Sequence, residues 1–361
     1  MIRWFFALVV VLAGTTWWVL GSTPDEPEQA SAAVASEAVV ALARPAPAPD
    51  VAAAAEELAQ AEELAAFPDA RETAPVLERT DRRAETESLL ARATQLSQSG
   101  QVDEARNLLT AAMGSAQGDW EAGRLALGLS QHAPDPASRR QMLGHALSSH
   151  AVQGDEWDLV SQELRQLAHD PRASLHGLLE LLPYTVRPGD SLWKLCNRTL
   201  PKERDLAVET GLIRLINGMS SDMVHPGQTL LVPREPLRLE VDRTQHGLVA
   251  WLGPVPVAAY RIGLGKENRT PSGSFLIEDR QENPDWYFQG RRIPFGDPRN
   301  VLGTRWLGFQ DGPGVVGYGI HGTSAPESVG GDESMGCIRM RNADVEELFE
   351  LVPRGTEVSI P

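Results

Sequence analysis

Short runs of alternating apolar and polar residues, separated by turn residues, occupy the C-terminal part of this 361-residue chain. A period of two, with β-branched and aromatic residues in the runs, is typical of β-strands. Strands are predicted at residues 237–241, 247–251, 255–262, 274–277 and 357–360. Before the last of these, residues 342–351 have apolar side chains at helical spacing, with Asn342 or Asp344 as the expected cap. The pattern predicts a β-rich domain with one helix near its end.

A cysteine and a histidine stand in glycine-containing motifs within this β-rich part. The motifs are Tyr318-Gly-Ile-His321-Gly-Thr323 and Ser334-Met-Gly336-Cys337-Ile-Arg339-Met340. A thiol attacks a carbonyl carbon as the thiolate, and a nearby imidazole can take its proton and hold the ion pair. Gly336 would leave backbone room for an acyl group and its oxyanion. The joint pattern indicates a cysteine acyltransferase, although either residue alone is more often an ordinary core or surface side chain.

The composition argues against a metal site and against nucleic-acid binding. One cysteine and one histidine provide at most two ligands here, whereas zinc takes at least three from the protein. The other histidine of this part, His246, lies in a polar sequence at residues 242–247 that is typical of a hairpin turn. The formal net charge is −16, whereas nucleic-acid binding normally needs a basic face. We expect no metal and no organic cofactor.

Residues 239–361 resemble the catalytic domain of the L,D-transpeptidase family of bacterial cell-wall enzymes. Besides the two motifs above, the resemblance rests on four ordered segments: Gly263-Leu-Gly265-Lys266, Arg269-Thr-Pro271-Ser-Gly273-Ser-Phe275, Gly303-Thr-Arg305-Trp306-Leu-Gly308 and Arg341-Asn342-Ala-Asp344. It implies a mainly-β catalytic domain, which we predict at residues 237–361.

The resemblance also implies roles for the residues of the cysteine and histidine motifs. Cys337 would be the nucleophile and His321 the general base, oriented by the backbone carbonyl of Gly322. The backbone N–H groups of Gly336 and Cys337 would meet the oxyanion. A triad of this kind has no acidic third member.

Arg339 and Ser334 complete the predicted substrate-binding group, together with Gly336. Arg339 matches the family's position for gripping a substrate carboxylate or shaping the site, with an exposed surface arginine as the alternative. Ser334 matches a motif serine whose hydroxyl is expected to support the loop. Met335 stands where many members carry a second histidine, which leaves the acyl acceptor open. The acidic loop at residues 324–333 is a candidate lid or acceptor selector.

The reaction implied by the resemblance is acyl transfer on peptidoglycan stem peptides. The enzyme would cleave the L,D bond after the third residue of a tetrapeptide stem, release the terminal D-alanine and pass the acyl group to an amine of a second stem. Two alternatives stay open. Water could be the acceptor, which would make the protein an L,D-carboxypeptidase, or the chain could be a non-catalytic wall-binding scaffold.

Residues 184–233 resemble a lysin motif (LysM), a small βααβ domain. The resemblance rests on Tyr184-Thr-Val-Arg-Pro188-Gly189-Asp190-Ser191-Leu192-Trp193, Asn217-Gly218, Pro226-Gly227-Gln228-Thr229-Leu230 and Val232-Pro233. It implies binding to the glycan strands of peptidoglycan, with Gly189, Asp190 and Asn217 as candidate glycan-binding residues. Cys196 falls on the first predicted helix and is expected to lie in the core.

Residues 81–182 have a helical pattern throughout. Apolar residues recur at helical spacing and are interrupted at Gly100-Gln-Val-Asp103, and further helical hairpins are predicted at about 119–150 and 156–182. The pattern weakly resembles tetratricopeptide-type (TPR-like) repeats. The region would be either a helical spacer or a docking surface for a protein partner.

The N-terminus combines an apolar segment with an acidic tract. Residues 4–20 are apolar behind Arg3, which favours a membrane anchor at 1–21 over a cleaved signal peptide, with Trp17 and Trp18 at the interface. Residues 22–80 are rich in Ala, Pro and Glu and are predicted to be a disordered linker. The multidomain protein is therefore expected in the cell envelope, outside the cytoplasm, either anchored to the membrane or released after cleavage.

Overall fold

The computed structural model describes residues 70–169, 175 and 177–361. The predicted membrane segment at 1–21 and the predicted linker up to residue 69 lie outside the described residues. Among the residues that are described, no helix is long and apolar enough to cross a membrane. The first described helix begins at Ala70, inside the range predicted as linker.

Helices form the first part of the described chain. They are α1 (Ala70–Gln98), α2 (Val102–Met113), α3 (Asp119–Ser130), α4 (Pro136–Ser148) and α5 (Glu156–His169). Gly100 separates α1 from α2 with a φ of +85°, a conformation that glycine adopts without steric cost. Asp135 caps α4 by accepting a hydrogen bond from the Ser138 N–H at 2.9 Å. The predicted helical region is confirmed, and its helices follow one another as hairpins.

The prediction of a helical hairpin at 156–182 is wrong in its second half. Helix α5 ends at His169, and Leu181–Thr185 forms strand β1 instead. Strand β1 pairs antiparallel with β2 (Thr229–Pro233), which supplies backbone partners that no local helix would provide. The leucine-rich sequence at the end of this range fits either a helix or a strand, and the distant partner decides.

The residues between β1 and β2 form two helical segments, as the lysin-motif resemblance implies. The first comprises α6 (Leu192–Lys194), a π-turn (Leu195–Thr199) and α7 (Leu200–Arg204). The second is α8 (Thr210–Asn217), which ends at Gly218 with a φ of +61°. The Ser191 hydroxyl accepts the Lys194 N–H at 3.2 Å and caps the first segment.

An eight-stranded sheet forms the scaffold of the C-terminal part, in the order β13-β11-β10-β7-β14-β3-β4-β5. The β14–β3 and β11–β13 pairs are parallel, and the other neighbours are antiparallel. The strands are β3 (Leu237–Asp242), β4 (Gly247–Leu252), β5 (Val255–Arg261), β7 (Gly273–Glu282), β10 (Arg305–Phe309), β11 (Gly319–His321), β13 (Ile338–Arg339) and β14 (Glu357–Ile360). Two small pairs accompany them: β6 (Leu264–Gly265) with β12 (Asp332–Ser334), and β8 (Trp286–Phe288) with β9 (Arg291–Ile293). The predicted strands of the mainly-β domain are confirmed.

Helix α9 (Asn342–Leu351) follows β13, as predicted, but its predicted cap is wrong. The N-cap residue is Arg341, without a side-chain capping bond. Asn342 uses its side chain elsewhere, as described below. The carboxylate of Asp344 forms an ion pair with Arg165 of α5 at 2.5 Å.

The helical region packs directly on the catalytic sheet. Apolar residues of α4 and α5 share a core with Val249, Trp251 and Ala259 of β4 and β5. Trp157 is buried, and its ring lies so close to Gly247 that a Cβ there would overlap it. Every residue of β4 is buried because the helices cover the strand on one face. The helical region is therefore part of the catalytic body rather than a detached spacer.

The lysin-motif module also packs on the catalytic part, through α8 and α9. Gly211 approaches the backbone of Glu350 so closely that a side chain would clash. Arg214 of α8 pairs with the Glu350 carboxylate at 3.0 Å. Helix α8 of the module therefore contacts α9 of the catalytic part directly.

Candidate active site

Parallel pairing of two short strands brings the predicted catalytic residues to one place. In the β11–β13 ladder, Ile320 is paired with Ile338 and His321 with Arg339. The Met340 N–H donates to the His321 carbonyl at 2.8 Å and extends the ladder. Cys337 immediately precedes β13, so it lies at the start of the strand that pairs with the strand of His321. Neighbouring strands lie about 4.8 Å apart.

The imidazole of His321 is buried and has one defined tautomer. Its Nδ1 lies 2.5 Å from the carbonyl oxygen of Gly322, which can only accept a hydrogen bond. The proton therefore resides on Nδ1, and the lone pair of Nε2 is available as a base. Trp306 stacks beside the ring, with centroids 6.0 Å apart. An orienting role of the Gly322 carbonyl stays a prediction, for which this hydrogen bond supplies the contact.

Burial lowers the pKa of His321 to about 4. The positive charge of Arg339 acts in the same direction, while the backbone carbonyls of Gly322 and Leu302 oppose it. The imidazole is therefore neutral at pH 7, as a general base must be before it accepts a proton.

The thiol of Cys337 is partly exposed and is also neutral in the resting site. Burial raises its pKa above the ordinary thiol value, and the backbone of Gly319 and the charge of Arg339 offset this only in part. The Sγ–H points to the Gly317 carbonyl oxygen at 3.7 Å. Both groups are therefore neutral in the resting site, whereas the sequence led us to expect a thiolate–imidazolium ion pair. The reason is desolvation, which disfavours both charged forms.

Ser334 holds the turn that carries the sulfur. Its hydroxyl donates to the Cys337 carbonyl oxygen at 2.7 Å and accepts the Gly336 N–H at 2.9 Å. The side chain is buried and fully engaged, so Ser334 supports the loop and its predicted place among substrate-binding residues is not supported. The same bond occupies the Gly336 N–H, which corrects the predicted oxyanion role of that group.

Gly336 is required for steric reasons. Its φ is +138°, and a Cβ at this position would overlap the ring of Tyr318. The backbone beside the sulfur can therefore pass close to Tyr318 only without a side chain. The residue contributes to the site through its shape.

Arg339 lies next to both reacting groups. Its backbone N–H and carbonyl both bond to Gly263 at 2.8 Å, which places β13 between β11 and Gly263. Among the described residues, its buried Nε has no hydrogen-bond partner. The half-buried guanidinium is a cation available to an anionic group entering the site. A substrate carboxylate as its ligand stays a prediction.

Asn342 is the functional residue that the sequence patterns assigned to the wrong task. Its Oδ1 accepts the N–H groups of Thr304 and Thr323, both at 3.2 Å. It thereby joins the segment before β10 to the segment after His321. Gly303 and Gly322 both lie so close to this oxygen that a Cβ on either would overlap it. In the sequence, Gly303 and Gly322 were the only indication that a side chain packs closely against both segments.

Comparison with known proteins agrees with this geometry. A family model described as the L,D-transpeptidase catalytic domain matches residues 236–360, and a LysM domain model matches residues 184–233. A putative L,D-transpeptidase of Bacillus subtilis, YqjB, is 42% identical over 132 residues, covering 36% of this chain and 73% of that protein. A putative L,D-transpeptidase of Bacillus licheniformis, YkuD, is 34% identical over 189 residues, covering 50% of this chain and 99% of that protein. The chain belongs to the L,D-transpeptidase family.

A solved L,D-transpeptidase structure is similar to part of this chain. The NMR structure of the catalytic domain from the E. faecium L,D-transpeptidase is 25% identical and covers 35% of this chain and 96% of that one, with a TM-score of 0.29. Within the described ranges of this L,D-transpeptidase, no group of three or more His, Cys, Asp or Glu residues could hold a metal ion.

The loop at 324–333 is anchored to the body of this L,D-transpeptidase. Ser328 and Val329 are buried, and β12 pairs in parallel with β6. Met335, next to the catalytic loop, exposes 56% of its surface. The lid role of the loop stays a prediction, whereas its C-terminal end is fixed by backbone pairing.

The candidate glycan-binding residues shape the turns of the lysin-motif module. Gly189 has a φ of +83°, and the Asp190 carboxylate accepts the Tyr184 hydroxyl at 2.7 Å and the Arg187 N–H at 2.9 Å. Asn217 exchanges hydrogen bonds of 2.7 and 2.8 Å with the backbone of Leu231. The polar side-chain atoms of Asp190 and Asn217 are thus used inside the module, and glycan binding by the three residues stays a prediction.

Cys196 lies in the core of the same module, as predicted. It is buried, and burial raises the pKa of its thiol to about 12. A protonated thiol is a poor nucleophile. The two cysteines of the chain are thus clearly distinguished by their surroundings.

Proposed function

We propose that this L,D-transpeptidase acts on peptidoglycan tetrapeptide stems with Cys337 as its nucleophile and His321 as its general base. The observation that carries the proposal is the single imidazole tautomer on the strand beside the cysteine, with Nδ1 bonded to Gly322 at 2.5 Å. This tautomer leaves Nε2 as a proton acceptor. The neutral imidazole is in the protonation state that the first step needs.

In the first half-reaction, the Cys337 Sγ–H gives its proton to His321 Nε2 as sulfur attacks the carbonyl carbon of the third stem residue. The developing oxyanion would be met by the Cys337 N–H, since the Gly336 N–H already donates to Ser334. His321 then returns the proton to the leaving amine, and D-alanine departs. The stem remains bound to sulfur as a thioester.

In the second half-reaction, an amine of another stem attacks the thioester carbon. His321 accepts a proton from that amine, the carbon–sulfur bond breaks, and the thiolate is protonated again. With water as the attacking group, the same steps would give hydrolysis. The same residues could activate either an amine or water as the acceptor. We propose transpeptidation rather than hydrolysis because the chain belongs to the L,D-transpeptidase family.

Arg339 is proposed to stabilise the negative charge that forms during these steps. Its positive charge lowers the pKa of Cys337 and of His321, which favours the thiolate and disfavours the imidazolium. The thiolate is therefore formed in the course of the attack rather than stored in the resting enzyme. The half-buried guanidinium can also receive a carboxylate of the stem.

The lysin-motif module is proposed to hold the enzyme on glycan strands. Because α8 packs against α9 of the catalytic part, glycan bound to the module would keep stems near Cys337 at a raised effective concentration. The protein would then act in the cell envelope. Anchoring by residues 1–21 is proposed for a segment outside the described residues, and a protein partner of the helical region stays a prediction.

Intact-mass analysis tests the proposal. The full chain without residues 1–21 is mixed with purified tetrapeptide muropeptides, and adducts and products are followed. We expect a thioester adduct on the wild-type protein and cross-linked dimers in solution. The Cys337→Ser protein should form neither, whereas Cys196→Ser should form both. Tripeptides without dimers would indicate hydrolysis, and an absence of adduct and products would overturn the proposal.

A further inference from the structure

The helical region reaches the catalytic part through a carboxylate on α5. Asp158 accepts two hydrogen bonds from the Arg341 guanidinium, at 2.5 and 3.1 Å. The two residues are 183 positions apart in sequence. A bidentate arginine–carboxylate pair fixes both partners in orientation as well as in position.

Arg341 stands immediately before the residue that clamps the histidine loop. Asn342 follows it and accepts the N–H groups of Thr304 and Thr323 at 3.2 Å. Between these segments lie His321 and the Gly322 carbonyl that holds its Nδ1 proton. A displacement of Arg341 would therefore move the clamp and change the orientation of the imidazole.

The same carboxylate faces a second arginine, which contacts the loop at 324–333. Arg261 lies 3.9 Å from Asp158 and pairs with Asp155 at 2.5 Å. Its guanidinium packs on Gly330, where a side chain would overlap it. The Gly330 N–H donates to Ile262 at 2.9 Å. Asp158 thus lies between two arginines, Arg341 next to Asn342 and Arg261 packed on the loop at 324–333.

Helix α5 is held tightly enough to act as a reference point. Trp157, next to Asp158, is buried against Gly247 of the sheet. About two turns further on, Arg165 forms ion pairs of 2.5 Å with Asp344 and with Glu347 of α9. The helix is anchored on both sides of Asp158 along its length.

We propose that Asp158 is a positioning residue of the transpeptidase site, acting through Arg341 and Asn342 on the orientation of His321. The inference rests on the proposed role of His321 as general base. It assigns to the helical region a contribution to catalysis, in addition to covering the sheet.

The test compares Asp158→Asn with Glu163→Gln in the full chain. Both changes remove one negative charge from α5, but Glu163 pairs with Gln131 and Arg139 inside the helical region. Turnover of a tetrapeptide muropeptide is measured together with the NMR titration of the His321 ring, which is assigned by its loss in His321→Gln. The melting temperature of each variant is recorded in parallel.

We expect Asp158→Asn to lower kcat about 10- to 100-fold with a smaller change in KM, the usual cost of a small misplacement of reacting groups. The His321 titration should move up from pH 4 toward its ordinary range, because a loosened clamp admits water to the ring. Asp158→Glu should recover part of kcat, and Glu163→Gln should match the wild type.

Equal kcat and equal His321 titration in Asp158→Asn and Glu163→Gln would overturn the inference. A lower melting temperature with an unchanged His321 titration would also overturn it, since that result describes support of the fold only. The ring titration requires no turnover. It therefore decides the role of Asp158 even if the wild-type protein produces no cross-links and the proposed function fails.

Discussion

The side-chain oxygen of Asn342 accepts the backbone N–H of Thr323 at 3.2 Å, two residues beyond His321, the proposed general base. The same oxygen accepts the Thr304 N–H at 3.2 Å. A residue at the start of α9 thus ties together the segments beside β10 and β11, next to the hydrogen bond that the Gly322 N–H donates to the Arg305 carbonyl at 3.2 Å. We propose that this clamp helps to fix the orientation of His321.

Replacing Asn342 by Ala should slow acylation of Cys337 about 10- to 100-fold, because His321 would lose its fixed position. Acylation is measured with a carbapenem, whose strained ring opens on the thiolate and leaves a mass adduct. Asn342→Asp is the matched control, since its carboxylate can still accept both N–H groups. Equal slowing in the two variants would contradict the role assigned to the clamp.

The nucleophile assignment predicts opposite outcomes for the two cysteines. Cys337→Ser should abolish turnover with the fold intact, because an imidazole readily deprotonates a thiol but not a hydroxyl. Cys196→Ser should leave turnover nearly unchanged. His321→Ala should slow carbapenem acylation roughly 10²- to 10⁴-fold. Peptide mapping of the labelled protein is the readout, and a label on Cys196 would refute the assignment.

The raised pKa of Cys337 predicts slow alkylation at neutral pH. The rate of reaction with iodoacetamide should rise with pH and have its midpoint above the ordinary thiol value of about 8.5. Arg339→Gln should move this midpoint higher, since the guanidinium favours the thiolate. Arg106→Gln, on α2 of the helical region, is the control for loss of one positive charge. A midpoint that falls in Arg339→Gln would contradict the electrostatic role.

The lowered pKa of His321 predicts a loss of stability in acid. The unfolded imidazole titrates near 6.5, whereas the folded one titrates at about 4. As pH falls through this range, the unfolded state takes up a proton that the folded state does not bind. The free energy of unfolding should therefore decrease by about 2–3 kcal/mol between pH 7.5 and pH 4.5 from this residue alone.

Urea unfolding at the two pH values measures that contribution. His321→Gln removes the group, so the difference between its pH dependence and that of the wild type isolates the imidazole from the carboxylates. Identical pH dependence in the two proteins would show that the ring is not desolvated as described.

Wall binding is expected to depend on an exposed aromatic residue of the lysin-motif module. Trp193 on α6 exposes 56% of its surface and can stack on a sugar ring. In the Cys337→Ser background, the full chain should sediment with insoluble peptidoglycan, and Trp193→Ala should weaken this about 10-fold. Leu159→Ala, which changes an exposed apolar residue of α5, is the control. Equal sedimentation of both variants would argue against glycan binding at this face.

Local patterns in the sequence predicted most of the longer helices and strands and a candidate pair of reacting residues. The alternating runs predicted β3, β4, β5 and β14, because alternation reports which face of a strand is buried. The two glycine-containing motifs identified Cys337 and His321 as a candidate pair. The expectation that these two residues lie close together came from the resemblance to the L,D-transpeptidase family, which rests on several motifs in the same order along the chain.

Tertiary structure decided what each group does within the site. The strand Leu181–Thr185 exists because Thr229–Pro233 pairs with it, and Asn342 clamps two loops because they converge on its side chain. The pKa directions of Cys337 and His321 depend on burial, which no short motif encodes.

The contact between Asp158 and Arg341 joins residues 183 positions apart. Sequence periodicity reports only interactions within a strand or a helix, over a few residues. A contact of this kind arises when separate elements pack on one another. The sequence alone therefore determined which residues could react, and the packing of the helical region, the lysin-motif module and the sheet determined how they are held.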